Sequence, residues 1–347
     1  MSLFSTTTTA ADSFLGIDIG SSNVKIVELK KDKDGIKLVN YAFAEIDSDR
    51  FRDWRKQPKF ISAILKEAIA KSGMKSIDAV AALPVFSVFS SIISLPVISR
   101  KDMKSAVHWE AKKVMPLPLD EMILSFDEIE EDAQEKKIKI LLTGAPKLLV
   151  KKHVESFREA HLNLISLEPE NFALIRALLG KEKAITCLIG LGASTTDISV
   201  VENGIPVFNR SIDVGGESIT TAISRRLNIS HERADQFKVD MGLMSPTMGE
   251  NSVPDVIMDS ISPIINEIRY IISVYQGSNK VIEKLVLTGG SAALPGLTDY
   301  LIKIFNINTI IGDPWNFISC PVDLKPVLNE VGPRMAVACG LALRELV

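Results

Sequence analysis

The chain carries one short unit twice. Residues 14–30 read FLGIDIGSSNVKIVELK and residues 186–202 read TCLIGLGASTTDISVVE. Laid over each other, Gly20 falls on Gly192, Ser22 on Ser194, Ile17 on Ile189 and Ile26 on Ile198, an offset close to half of the 347 residues. Each copy predicts strand, tight turn, strand. In the first, Ile17 and Ile19 alternate with Gly16, Asp18 and Gly20, so the apolar pair takes one face and the Gly-Asp-Gly row the other. A carboxylate in an apolar strand is costly to bury unpaired, and the glycines beside it are expected to leave open space around it. The turn Gly20-Ser21-Ser22-Asn23 offers backbone N–H groups and two hydroxyls. Two readings fit: an anion held by the turn with a metal or ordered water between it and Asp18, or an ordinary hairpin with Asp18 turned to solvent. The second copy favours the first. It predicts two related halves facing each other across a cleft, each lending a turn to one ligand.

Composition excludes several classes. At 46% hydrophobic residues the chain supports two or three domains with cores of their own, and a net charge of −3 gives no basic field for nucleic acid. Cys187, Cys320 and Cys339 lie far apart in apolar surroundings and read as buried free thiols in a reducing compartment. The four histidines form no metal pattern. MSLFSTTTTAAD lacks the basic and apolar regions of a signal peptide, and residues 1–13 are expected to be a disordered tail. Residues 79–99 carry no charge over a length that would span a bilayer, but Pro84, Pro96 and the interleaved serines favour two buried strands joined at Pro84.

Taken in order, residues 36–46 predict a third strand, 58–72 a helix stopped by Gly73, and 77–83 a further strand. Residues 84–165 read as an inserted module: strand 85–95, helix 101–114, a proline-bounded turn, strand 122–129, an acidic hairpin tip, strand 138–145 and helix 148–161. Trp109, with Met115, Pro116, Leu117 and Pro118, reads as core, with a shelf for a partner's peptide as the alternative. Glu168 precedes a helix that carries Pro169 at its start and Gly180 at its stop. It is either a surface acid or a carboxylate aimed into the cleft to orient water. Gly215-Gly216 before a helix suits a phosphate. Asp235 and Lys238 share a helix face, either as a plain surface pair or as a grip on a ribose and the edge of a base. Gly289-Gly290-Ser291 follows a buried strand and permits close approach of something flat or anionic. The chain closes with an apolar helix, GPRMAVACGLALREL. There is no P-loop, Rossmann fingerprint, GxSxG or HExxH.

The two hairpins, Glu168-Pro169 before the second, and the late strand ending in Gly289-Gly290 resemble the actin/Hsp70/sugar-kinase ATPase superfamily. The resemblance implies an α/β, two-lobed, ribonuclease H-like fold. The inserted module resembles the SHS2 subdomain of FtsA and PilM. HWEAKKVMPLPLDEMILSF and GPRMAVACGLALRE most resemble the PilM family of type IV pilus assembly proteins, and the resemblance runs over nearly the whole chain from Phe14. It implies a first-lobe ATPase core at 14–83, an SHS2-type subdomain at 84–165, and a second lobe at 166–347 with a nucleotide-facing helical subdomain at about 217–284.

By position, the resemblance implies ATP and magnesium as cofactors. Asp18 would hold Mg through water. Gly20, Ser21 and Ser22 would cradle phosphates, with Lys25 just beyond. Glu168 would be the water-activating, catalytic carboxylate. Gly192, Ser194 and Thr195 would form the second phosphate turn, and Gly215 and Gly216 would approach the phosphates. Asp235 and Lys238 would take the ribose and base, and Gly289, Gly290 and Ser291 the adenosine. One departure matters: the family's second hairpin opens Asp-x-Gly, whereas this chain has Gly190-Leu191-Gly192. Asp197, on the returning strand, is not counted on to replace the missing acid. Because positioning and charge neutralisation carry phosphoryl transfer, the expectation is ATP binding with slow or negligible hydrolysis.

The resemblance further implies a cytoplasmic scaffold that grips the N-terminal cytoplasmic peptide of a bitopic inner-membrane protein (PilN-like) in a groove between the first unit and the insert. It would reach the membrane only through that partner, and self-association is left open. An FtsA-like filament is the first alternative; its membrane helix after a linker is not expected in a chain that closes at Leu346-Val347. A small-molecule kinase is the second, but no cluster of sugar-binding groups stands out. A chaperone would need a substrate-binding domain after the ATPase.

Overall fold

The alternating runs become two sheets built on one strand plan. The computed structural model describes residues 3–5, 12–46, 58–132, 136–244 and 252–347. The chain forms two units, Met1–Arg176 with Val337–Val347, and Ala177–Ala336.

In the first unit β2 (Ser13–Ile19), β3 (Asn23–Asp32) and β4 (Gly35–Glu45) make an antiparallel meander. On the other side of β2 runs parallel β5 (Asp78–Leu83), and beyond it parallel β9 (Asn163–Pro169). Part of the expected disordered tail is instead an edge strand, β1 (Phe4–Ser5), antiparallel to β9. Apolar Leu3 is buried beside it and donates its N–H to the Leu167 carbonyl. The rest of that tail up to residue 11 lies outside the described residues.

The period-2 pattern of β2 decides what packs where. Leu15, Ile17 and Ile19 enter a core with Ile61 and Leu65 of α1 (Pro58–Ser72) and with Leu149, Val150 and Phe157 of α3 (Lys147–Glu159). Gly16 faces the other way and does not leave open space. A Cβ there would lie 1.9 Å from the Ala338 carbonyl oxygen and 2.5 Å from the Ala342 nitrogen. Both belong to α9 (Lys325–Leu343), which begins in the second unit and ends in the first.

The stretch expected as one insert divides. Its separate sheet is β6 (Phe89–Pro96), β8 (Lys137–Pro146) and β7 (Met122–Asp132), in the order β6-β8-β7. The following α3 and β9 return to the first sheet, because α3's apolar face completes that sheet's core. Residues 85–87 form a short 3-10 turn, and β6 starts at Phe89 with only alternate residues buried, not as a buried strand from Val85. Among the described residues no helix is long and apolar enough to cross a membrane.

Helix α2 (Arg100–Val114) is capped by the Ser99 hydroxyl, which accepts the Asp102 N–H. It buries Met103, Val107 and Ala111 against Ile93, Leu95, Ile140 and Leu142. Trp109 is two residues past Val107, roughly 200° round the helix, and so points away. It is 65% exposed with the Lys112 ammonium 4.5 Å from its ring centre, and Leu117 is 41% exposed. The reading of this group as core holds for Met115, which packs against that buried cluster, and is corrected for the exposed Trp109, Pro116, Leu117 and Pro118; an accessible apolar shelf remains.

The second unit repeats the plan. β10 (Thr186–Leu191), β11 (Thr196–Glu202) and β12 (Ile205–Ile212) form the meander; β13 (Lys284–Thr288) and β14 (Asn308–Ile311) run parallel on the far side of β10. The strand order β12-β11-β10-β13-β14 matches β4-β3-β2-β5-β9 element for element. The repeat seen in one hairpin is therefore a repeat of a whole sheet. Helices α5 (Gly216–Leu227), α6 (His231–Met241) and α7 (Val253–Gly277) occupy most of the stretch expected as a helical subdomain, and they share one core with Ile189, Leu191, Ile198 and Val200 of the sheet. All three cysteines are free; Cys187 and Cys339 are buried, whereas Cys320 is only half-buried. Burial pushes the Cys187 thiol up to about 12.

Candidate functional site

In the first unit the turn is closed by the Gly20 N–H donating to the Asn23 carbonyl at 2.9 Å. The Ser22 carbonyl accepts the Ile46 N–H, and the Asn23 amide donates to the Ser22 hydroxyl at 3.0 Å. Asp18 stands opposite Lys25 in the β2–β3 ladder, and the Lys25 ammonium meets its Oδ2 at 2.8 Å. Asp18 is buried, so neither solvent exposure nor open space describes it; a paired cation offsets the cost of its charge. The structure thus brings Asp18, Gly20, Ser22 and Lys25 together. The Asn23 Oδ1 is buried there without a donor among the described residues.

Glu168 stands at the end of β9, in register with Ala82 of β5. It is level with Asp18 but two strands away, about 10 Å at ordinary strand spacing. It is fully buried, not a surface acid. Arg176 takes both its oxygens, at 2.7 and 3.0 Å, and Arg344 takes Oε2 at 2.7 Å. Arg176 also donates to the Gly340 carbonyl at 2.6 Å. Sequence reasoning missed both arginines. Arg176 is eight residues along and shares the helix that Glu168 precedes, which is a findable signal; Arg344 comes from the other end of the chain and leaves none.

In the second unit the Gly192 N–H closes its turn onto the Thr195 carbonyl at 2.9 Å, as Gly20 does in the first. The N–H groups of Gly216 and Glu217, at the start of α5, donate to the Gly192 and Ala193 carbonyls, each at 2.9 Å. These two amides of the helix N-terminus are therefore committed to the turn, not open to a phosphate. A Cβ on Gly215 would lie 2.5 Å from the Ala193 oxygen, so the Gly-Gly pair is there to let helix and turn touch.

Gly289 has φ +91 and donates its N–H to the Pro333 carbonyl at 2.8 Å. Ser291 donates its N–H to the Leu191 carbonyl, and its hydroxyl oxygen lies 2.4 Å from where a Gly216 Cβ would be. The Lys238 ammonium donates to Asp235 at 2.5 Å, to the Thr220 hydroxyl at 2.7 Å and to the Gly216 carbonyl at 3.3 Å. Its three protons are thereby used, and Lys238 ties α6 to the start of α5. Burial works against the charge of Asp235, but Lys238 and the Thr220 hydroxyl hold its carboxyl below the usual range. The structure thus gathers Gly192, Gly215, Gly216, Asp235, Lys238, Gly289 and Ser291. Thr220 was missed, being one polar residue in an otherwise ordinary amphipathic helix.

The missing acid has a neighbour. Gly190 stands directly opposite Asp197 in the β10–β11 ladder, and facing residues share one side of a sheet. The Asp197 carboxylate therefore lies on the face an acid at 190 would use. Its Oδ2 accepts from the Thr195 hydroxyl at 3.3 Å, and its Oδ1 is buried without a donor among the described residues. Burial pushes its carboxyl above the usual carboxylate range, against a weaker opposing pull from the Ser211 and Thr195 hydroxyls. Among the described residues no three His, Cys, Asp or Glu side chains gather as a ready metal cage.

A meander with parallel strands beyond it, built twice and bearing a glycine-closed turn on each first hairpin, is the actin-like ATPase fold. The structure of a PilM-PilN type IV pilus biogenesis complex shares it with a TM-score of 0.85 and 24% identity, over 98% of this chain and 100% of that one. The ethanolamine utilization protein EutJ of Carboxydothermus hydrogenoformans follows at 0.57 and 15% identity, over 98% and 92%, and MreB 5 of Spiroplasma citri, bound to AMPPNP, at 0.54 and 12%, over 96% and 95%. Among curated proteins, the cell division protein FtsA of Agrobacterium fabrum is 29% identical over 209 residues, 53% of this chain and 46% of that protein. The chain spans about half the length of that relative. FtsA of Enterococcus faecalis is 23% identical over 85% of this chain and 77% of its own. The model of the family "Type IV pilus assembly protein PilM" matches residues 16–346, and the chain belongs to that family.

Proposed function

We propose that the chain is an ATP-binding scaffold of type IV pilus assembly, with slow or negligible hydrolysis. The observation that carries this reading is the duplicated hairpin: each copy closes a turn through a glycine N–H and leaves one buried oxygen, Asn23 Oδ1 and Asp197 Oδ1, without a donor among the described residues. Acceptors of that kind suit a hydrated cation, and turns rich in small residues suit phosphate. In this reading Gly20, Ser21 and Ser22, and Gly192, Ser194 and Thr195, take the phosphates. Asp18 and Asp197 hold magnesium through its waters, and Gly289, Gly290 and Ser291 face the adenosine. Gly215, Gly216, Asp235 and Lys238 hold these turns in place, with Asp235 free to meet the ribose through its second oxygen. Magnesium would supply charge neutralisation. Glu168, held by two arginines, leaves the site without a ready base for water, which supports the slow turnover.

The structural neighbour solved as a PilM-PilN complex supports a PilN-like partner, the cytoplasmic peptide of an inner-membrane protein through which this chain reaches the membrane. The exposed Trp109 and Leu117 give the insert an apolar surface suited to such a peptide. Nucleotide changes the peptide's affinity only so far as it favours one conformation over another. The test is copurification with a synthetic peptide from the neighbouring membrane protein, with and without Mg-ATP. Retention in either state is expected; no binding in both would overturn the scaffold reading.

Asp197→Asn separates function from stability. A carboxyl raised above its unfolded value binds its proton more tightly in the native state. Native stability is then lost as pH rises through and above the unfolded value. The variant is therefore expected to melt higher than wild type at about pH 7 and no higher near about pH 3, where both states are protonated. It is also expected to lose the magnesium dependence of ATP binding. Thermal melts across pH, and titrations with and without magnesium, check both. A variant that melts lower at neutral pH would contradict the assignment.

A further inference from the structure

Arg334 lies on the exposed face of α9, one helical turn past the exposed Glu330. Its neighbours Gly332, Pro333, Met335 and Ala336 are all buried, yet Arg334 itself is exposed. Among the described residues it has no hydrogen-bond or ion-pair partner. Its guanidinium stands beside the Gly289–Ser291 turn: a Cβ on Gly290 would lie 3.8 Å from the Arg334 Nε.

The position is held from both sides. The Pro333 carbonyl accepts the Gly289 N–H at 2.8 Å and the Thr288 hydroxyl at 2.9 Å, so the residue before Arg334 is fastened to the end of β13. Gly289 and Ser291 are pressed toward Leu191: a Gly289 Cβ would lie 2.4 Å from the Leu191 oxygen, and that oxygen accepts the Ser291 N–H at 3.2 Å. Gly290, between them, is the residue of the turn that meets the arginine. Leu191, which precedes the turn at Gly192, and Pro333, which precedes Arg334, are thus both hydrogen-bonded to this glycine turn.

Resting on the nucleotide reading above, we propose that Arg334 is the base-stacking residue of the second unit, laying its planar guanidinium on the face of the nucleotide's purine. Glycine at 290 leaves the room a flat ring needs. A guanidinium without a carboxylate partner keeps its faces available for cation–π and planar stacking, which an ammonium does not reproduce. The contact is remote from the phosphates, so Arg334 adds affinity for the base and none for the polyphosphate.

The test measures binding of Mg-ATP and of inorganic tripolyphosphate to the full chain by calorimetry, for wild type, Arg334→Ala and Arg334→Lys. Being exposed, neither substitution is expected to alter the melt. Both are expected to weaken ATP about 10-fold and to leave tripolyphosphate unchanged. Lysine retaining wild-type ATP affinity, alanine weakening tripolyphosphate equally, or alanine leaving ATP binding intact would each overturn the proposal while leaving the nucleotide reading standing. A wild-type chain that binds neither probe would overturn both.

Discussion

Gly340→Ala and Gly16→Ala are each expected to unfold the first unit or to leave it only marginally stable. A Cβ on Gly340 would lie 1.9 Å from the Ala173 carbonyl oxygen, and one on Gly16 would lie 1.9 Å from that of Ala338. In both cases the obstructing atom is backbone in a packed helix, so no side chain can swing aside. Overpacking ordinarily costs about 1–3 kcal/mol; here a helix must move bodily, and a loss of roughly 4 kcal/mol or more is expected, a large share of a domain's net stability. Gly277→Ala is the control. It ends α7, and nothing lies within 4 Å of the added Cβ. Urea denaturation should show it unchanged or slightly stabilised, while the other two lose most of their folding transition. A wild-type midpoint for Gly16→Ala would show that α9 does not press on β2.

Glu168→Ala is expected to cost about 3–5 kcal/mol, the range for breaking a buried ion pair from one side. The loss comes from the partners: the Arg176 and Arg344 side chains are only 20% and 17% exposed and would be left charged without an anion. Glu168→Gln keeps the shape and removes the charge, and serves for kinetics if it folds. Turnover of Mg-ATP per folded chain is expected to equal that of wild type, because the carboxylate is occupied with arginines. A folded Glu168→Gln variant whose turnover falls 100-fold would restore Glu168 as the carboxylate that activates water.

What could be read without coordinates, and what could not, divides along physical lines. The hairpins at 14–30 and 186–202 were legible because strand alternation is a local pattern, and their duplication predicted two related halves, whose strand orders the structure shows to match. Helix 58–72 was legible from its period and its closing glycine. Glu168 was legible as an acid just before a helix, but not its burial: its partner Arg344 lies 176 residues away, and no local signal reports such a pairing. Gly16 was read as open space because a sequence shows the absence of a side chain and not the helix that fills the gap. Trp109 was read as core on hydrophobicity, although the spacing of Met103, Val107 and Ala111 already put it on the outer side. Gly215-Gly216 had the composition of a phosphate site, but whether an N–H is free or committed to a carbonyl is a tertiary fact.

We propose that both glycine-closed turns serve one nucleotide. Calorimetric titration with Mg-ATP of wild type, Ser22→Asp and Ser194→Asp tests it most directly, since each substitution places a negative charge in one turn. Ser22 is half-buried and Ser194 exposed, so neither change should unfold its unit. The account predicts one nucleotide per chain in wild type and loss of binding in both variants. Two nucleotides per chain, or wild-type affinity in either variant, would contradict it.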